Sequence, residues 1–170
     1  GFLLEARTFA PLDEVEPRRP RTDRRSGGGT GHRGGDRGLS DAQRSAIGCA
    51  GEYLAWQWLV ARYPAANESS WVSTNRRHMF TGDLGDDGLG YDLEVRLGRH
   101  PLMFEVKTFR GPGGEIELGE SEVDAARRHA ATDRWRLLVI SDVFNPVARR
   151  MRMLFNPFGR RGRGHYRELG

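Results

Sequence analysis

The 170-residue chain is short of two residue types that usually come in numbers. It has one cysteine, Cys49, and among its 27 basic residues only Lys107 is a lysine, the rest being arginine. A single cysteine excludes an internal disulfide and fits a reducing, cytoplasmic setting. No apolar run approaches the roughly eighteen residues a membrane span needs, so no membrane partner is expected. The opening "GFLLEARTFAPL" lacks the plan of a signal peptide. Histidines 32, 78, 100, 129 and 165 form no close pair and have no cysteine beside them, which argues against a zinc centre. No Ser/His/Asp arrangement has local support. No GxxxxGK[ST] loop exists, because the one lysine stands elsewhere. Gly29, Gly31 and Gly34 match GxGxxG by letter only, with no strand before them.

Charge is unevenly spread. Residues 1–40 carry +2, residues 41–143 carry −4 and residues 144–170 carry +6. An acidic core with a basic tail suits a domain that gathers carboxylates around a cation and holds phosphates elsewhere. Residues 18–38, "RRPRTDRRSGGGTGHRGGDRG", have nothing apolar to pack. The expected organisation is therefore a largely disordered linker and end of a preceding region over 1–39, a folded domain over 40–157, and a basic tail over 158–170. The chain does not begin with methionine and is read as a piece of a longer protein.

Periodicity predicts the elements. Ser40 and Gln43 fit a capping box, and Ile47, Gly51, Leu54 and Trp58 recur at helical spacing up to Pro64. Trp71–Ser73 is a short strand candidate. Tyr91–Arg96 and Leu102–Phe109 alternate as strands, "GPGG" at 111–114 is a turn, and Glu115–Leu118 is another short strand. Residues 120–131 read as a helix with Val123, Ala126 and Ala130 inward; Trp135–Ser141 is the most apolar strand. Helix, antiparallel hairpin and third strand, helix and strand make a mixed α/β layer fold.

The hairpin raises the functional question. A two-residue turn at Gly98-Arg99, of type II′ with glycine first, pairs residues whose numbers sum to 197. Asp92 then faces Glu105 at about 5 Å between Cβ atoms. Two carboxylates that close repel unless a cation lies between them, and Mg²⁺ or Mn²⁺ prefers oxygen ligands. Lys107 follows Glu105 on the same strand face, with Met103 and Phe109; Tyr91, Leu93 and Val95 are expected opposite Asp92 and Glu94. A compact ammonium can approach a phosphate or a metal-bound water where arginine's planar fork does not fit. The alternative is a structural ion pair of Lys107 with Asp92 or Glu105.

Asp92 followed by Glu105-Val106-Lys107 resembles the PD-(D/E)XK nuclease pattern. More closely, "GCAGEYLAWQWL" (48–59), "GYDLEV" (90–95), "LMFEVKTF" (102–109), "IELGESEVDAAR" (116–127) and "WRLLVI" (135–140) resemble the NO VEIN carboxy-terminal domain, a domain of unknown function related to that nuclease fold. The resemblance implies a restriction-endonuclease-like three-layer core with a mixed sheet. It makes Asp92 and Glu105 metal ligands for Mg²⁺ or Mn²⁺. Lys107 becomes the residue that orients or activates water and steadies the phosphate. Glu52 becomes the helix glutamate that could bind a second cation or a water, and Glu122 matches a glutamate at the start of the second helix, where the helix dipole also favours one. Tyr91 stands where "PD" has proline. Family members are often joined to helicase-like or ATPase domains.

Other signals are weaker. Asp83, Asp87, Gly88 and Glu94 partly fit a calcium loop, but Gly85 and Gly90 break it, and Asp86 and Asp87 read as turn residues. Arg76, Arg77, Arg160, Arg161 and Arg163 are candidate nucleic-acid contacts, the last three near Phe155, Phe158 and Tyr166; Met151–Phe155 is expected to pack on the core. Three functions remain. They are a metal-dependent nuclease domain acting on DNA or RNA, a catalytically inactive nucleic-acid-binding module serving a neighbouring ATPase or helicase domain, and a protein-interaction domain with a structural ion pair.

Overall fold

The structure is a computed structural model that describes residues 32–33, 38–113 and 115–163. The linker expectation for residues 1–31 and the tail beyond residue 163 lie outside the described residues. The elements are β1 (His32–Arg33), α1 (Asp41–Arg62), β2 (Leu93–Leu97), β3 (His100–Thr108), β4 (Glu115–Ile116), α2 (Glu120–Arg128), β5 (Trp135–Ser141) and β6 (Arg150–Phe155). Three 3₁₀ turns, at Glu68–Ser70, Thr74–His78 and Asp87–Leu89, fill the connection from α1 to β2.

The main sheet has the order β2-β3-β5-β6. Its outer pairs are antiparallel and β3 runs parallel to β5. A parallel neighbour requires a crossover, which α2 supplies. The helix α1 packs on one face of the sheet, where Leu54, Ala55, Trp58 and Leu59 meet Leu93, Val95, Phe104, Val106, Leu138 and Ile140. The helix α2 covers the other face, where Ala125 and Ala126 meet Met103, Trp135, Leu137 and Leu154. The fold is thus mixed α/β in three layers. Each fully buried Leu or Phe in it is worth about 1.5–3 kcal/mol.

Local signals explain the first helix. The Gln43 amide donates to Ser40 Oγ at 3.2 Å and the Ser40 amide to Gln43 Oε1 at 2.8 Å, the reciprocal capping box. Ile47, Gly51, Leu54 and Trp58 are all buried. The hairpin register also follows the turn: Leu97 pairs with His100 and Leu93 with Phe104. Gly98 has φ of 69° and Arg99 is not in the left-handed region, as a type II′ turn requires.

Several expectations are corrected. Trp71–Ser73 is a single bridge from Trp71 to Leu93, because 3₁₀ turns close in on both sides. The second helix stops at Arg128 and buries Ala125 and Ala126, with Val123 half-buried. Within the segment read as linker, His32–Arg33 pairs antiparallel with Glu115–Ile116 in a small second sheet. Met151–Phe155 does pack, but as the edge strand β6, with Met151 buried on the α1 face and Leu154 on the α2 face.

Candidate active site

Two glycines bring the helices to the carboxylates. Gly51 lies where α1 crosses β3; a Cβ there would stand 1.7 Å from Thr108 Oγ1. The neighbouring Glu52 is thereby buried against the sheet. Gly90 has φ of 77°, and a Cβ there would stand 2.2 Å from the Ser121 carbonyl oxygen. Its own carbonyl accepts from Trp135 Nε1 at 2.8 Å. This close, left-handed passage sets the start of β2 beside the first turn of α2.

Asp92 follows that turn and sits just outside the ladder. The expected cross-strand pair with Glu105 is not formed as such, because regular pairing ends at Leu93–Phe104. Instead the Asp92 amide donates to the Phe104 carbonyl at 2.9 Å, and Asp92 Oδ2 accepts from the Val106 amide at 2.8 Å. The side chain takes over where the strand partner leaves off, which carries the carboxylate toward β3. The same bend moves Tyr91 to the α2 face, contrary to the alternation expected; its hydroxyl donates to Glu94 Oε2 at 2.9 Å.

Glu105 and Lys107 are both buried on the α2 side of β3. Lys107 Nζ lies 3.0 Å from Glu105 Oε1 and 2.7 Å from Glu122 Oε2. Glu122 Oε2 also accepts from the Gly119 amide at 2.8 Å, so the residue caps its own helix and braces the lysine at once. Helix capping alone would place a glutamate here, and so the sequence pattern understated Glu122. On the α1 side, Glu52 Oε2 accepts from Trp71 Nε1 at 2.8 Å and from Ser73 Oγ, while Oε1 accepts from Asn75 Nδ2 at 2.6 Å.

The electrostatics follow from burial. Loss of solvent pushes the Asp92 carboxyl well above its usual range, and the charges of Glu105 and Glu52 push it further; the Val106 amide and Lys107 oppose this. Burial likewise raises Glu105 to about 8, with Lys107 working downward and Glu122 upward. Burial also raises Glu52 against its three donors. For Lys107, burial works against the ammonium, but Glu105 and Glu122 outweigh it and the pKa rises. The lysine stays charged while Glu105 and Asp92 resist ionisation.

The site therefore unites Asp92, Glu105, Lys107 and Glu52, and adds Glu122. Its oxygen donors suit a hard divalent cation, whose charge would relieve the raised carboxylates. Among the described residues, no three His, Cys, Asp or Glu side chains converge as a metal-holding group. A cation held there would take at most two side-chain ligands, Asp92 and Glu105, and the rest of its shell would fall to backbone and water.

The arginines expected to hold nucleic acid are scattered. Arg76 is buried, with Nη1 3.1 Å from Asp83 Oδ2 and donating to the Asp83 carbonyl, and Nη2 donating to the Glu68 carbonyl. It is a structural residue, contrary to expectation, while Arg77 stays exposed beside it. Arg161 ion-pairs with Asp133 at 3.6 Å and stacks on Phe155 at 4.8 Å. Arg163 donates to the Phe158 carbonyl, and Arg160 is exposed. Asp133 precedes β5, whereas Lys107 is level with Val139. The tail arginines thus lie about 20 Å along the sheet from the lysine. The partial calcium loop is a set of turns: Asp87 accepts from Thr74, Asp86 from Gly88, and Asp83 from Gly85.

Comparison with known proteins gives one match. The family model described as Protein NO VEIN, C-terminal, matches residues 51–153. The chain belongs to that family. The matched span holds α1 from Gly51 onward, β2 to β5, α2 and most of β6, and so every residue of the carboxylate–lysine cluster. No curated protein and no solved structure matches the chain. No helix among the described residues is long and apolar enough to cross a membrane.

Proposed function

We propose that this NO VEIN carboxy-terminal domain is a nuclease-like module whose site hydrolyses phosphodiesters of DNA or RNA with Mg²⁺ or Mn²⁺. The observation that carries the reading is the cluster itself. Asp92, just before β2, reaches β3 at the Val106 amide next to Glu105, and the chain's only lysine is in contact with Glu105. Both carboxylates are raised by burial in a way that a cation would reverse. Asp92 and Glu105 would hold the cation, which supplies a water of lowered pKa and stabilises charge on the phosphoryl oxygens. Lys107 Nζ, kept protonated by its two carboxylates, orients a water and offsets charge on the phosphate. Glu122 keeps Nζ in place when Glu105 is otherwise engaged. Glu52 adds negative charge behind Asp92.

A second reading has its own support. Two of the three Lys107 donor positions already go to Glu105 and Glu122. Both Glu52 oxygens already accept from neutral donors. A cluster so well satisfied internally also suits a catalytically inactive nucleic-acid-binding or protein-interaction module serving an ATPase or helicase-like domain.

The deciding experiment is incubation with linear, nicked and single-stranded DNA and with RNA, in Mg²⁺ or Mn²⁺, beside Asp92→Ala and Lys107→Ala. Metal-dependent cutting lost in both variants supports the nuclease reading. Absence of cutting by a folded protein with either metal rejects it in favour of the second.

A further inference from the structure

Strand register carries a basic residue to the lysine's side of the sheet. Lys107 pairs with Val139 on β5, and Val139 pairs with Arg152 on β6. Directly paired residues point to one face, so Lys107, Val139 and Arg152 form a row across three strands on the α2 side. The row spans two strand spacings, about 10 Å between main chains. Lys107 is buried, whereas Val139 and Arg152 are half-buried. Arg150, two pairs further along, folds its guanidinium back onto the carbonyls of Val147, Ala148 and Arg149. Arg152 has no such engagement: among the described residues nothing hydrogen-bonds or ion-pairs with its guanidinium. An unengaged guanidinium in line with a buried ammonium is an anion site of a definite direction. Beyond the same end of β5, Phe144 is 59% exposed in the loop to β6. A bare ring there suits a base adjoining a held phosphate.

We infer that Arg152 holds a backbone phosphate of a nucleic-acid strand, next to the phosphate at Lys107, so that the strand runs across the sheet from β3 toward β6. The inference deepens the proposed function and rests on that reading for the choice of ligand. It also reassigns the nucleic-acid contact from the tail arginines to the edge strand.

The test is binding without cutting. Fluorescein-labelled single-stranded 20-mers of DNA and of RNA, identical in sequence, are titrated with the full chain in EDTA, and anisotropy is read over a salt series. Arg152→Ala is expected to weaken binding about tenfold, the loss of one charge-assisted contact. It should also lower the slope of log K against log salt by about 0.7, one phosphate on a single strand. Arg152→Gln, which keeps the packed stem, should lose the same slope, and it guards against a folding defect in the alanine variant. Arg99→Ala, at the exposed β2–β3 turn and the other end of β3, should bind within about twofold of the parent. Whichever of DNA and RNA binds more tightly names the strand. The proposal is overturned if affinity and slope survive both Arg152 substitutions. It is overturned too if Arg99→Ala loses as much, or if neither oligonucleotide binds at low salt. Because no cutting is read, a protein that binds through Arg152 but never cleaves would sink the nuclease reading and leave this one standing.

Discussion

Glu52 and Glu105 are both buried glutamates, one on each side of the sheet, and they are held in different ways. Glu52 is surrounded by neutral donors, the Trp71 indole, the Ser73 hydroxyl and the Asn75 amide. Glu105 has an ammonium at 3.0 Å and a second carboxylate, Glu122, sharing that ammonium. Neutral donors favour the charged form of a carboxylate but do not titrate themselves; an ion cluster ties each group's protonation to that of its neighbours. The α1 side thus holds its glutamate with neutral donors, and the α2 side holds its glutamate in a cluster of charges.

The strongest break in that comparison is Lys107→Ala. It leaves the buried Glu105 and the half-buried Glu122 without their cation and should cost about 3–5 kcal/mol in urea unfolding at pH 8.5. At pH 5.5 the cost should be smaller, because Glu105 titrates at about 8 and is then neutral. An equal cost at both pH values would contradict the coupling.

The same asymmetry predicts a pH slope. Glu105 is raised from 4.5 to about 8 in the folded state, so between those values the folded protein binds a proton that the unfolded chain has released. Stability in EDTA should therefore fall as pH rises through that window, by up to about 1.4 kcal/mol per pH unit for that proton. Asp92, raised in the same direction, adds to the fall. Glu105→Gln should flatten the melting curve series, and Mg²⁺ or Mn²⁺ should do so in the parent. A stability that climbs over the window would refute the placement.

Gly90→Ala sharpens the comparison from the backbone. Its Cβ would meet the Ser121 carbonyl at 2.2 Å in a left-handed conformation, and a loss of about 2–3 kcal/mol is expected. Because Gly90 sets Asp92 beside α2, divalent-ion stabilisation should weaken with it, read as the shift of melting temperature on adding Mn²⁺. Smallest is Trp71→Phe, which removes one neutral donor from Glu52 and should cost about 1–2 kcal/mol. It also removes one of the donors that hold the Glu52 carboxyl down, so the fall of stability with rising pH should steepen slightly; an unchanged slope would mean that the indole does not bear on Glu52's protonation.

The capping box, the helix stripe and the hairpin register were legible because each depends on residues within one element or one turn. Ser40 with Gln43, Gly98 with Arg99, and the sum of 197 all survive in the structure. The strand β6 was half legible: apolar residues alternating with arginine showed packing, but a partner strand is a long-range fact. Arg76 misled because an arginine in a polar loop looks solvated until its own burial and its bonds to Asp83 and the Glu68 carbonyl are known. Glu122 was visible as a helix start, and only the sheet shows that it also reaches Lys107.

By itself the sequence determined the order of elements, the hairpin, and the setting of Glu105 and Lys107 on one face of β3, since alternation and turn length act over a few residues. Tertiary structure alone decided that Asp92 meets β3 by its side chain, that Glu122 shares the lysine, and that Arg152 lies in the lysine's row. Those relations join residues from different strands and helices, and only packing, with glycines at Gly51 and Gly90 permitting the close approaches, brings them within reach.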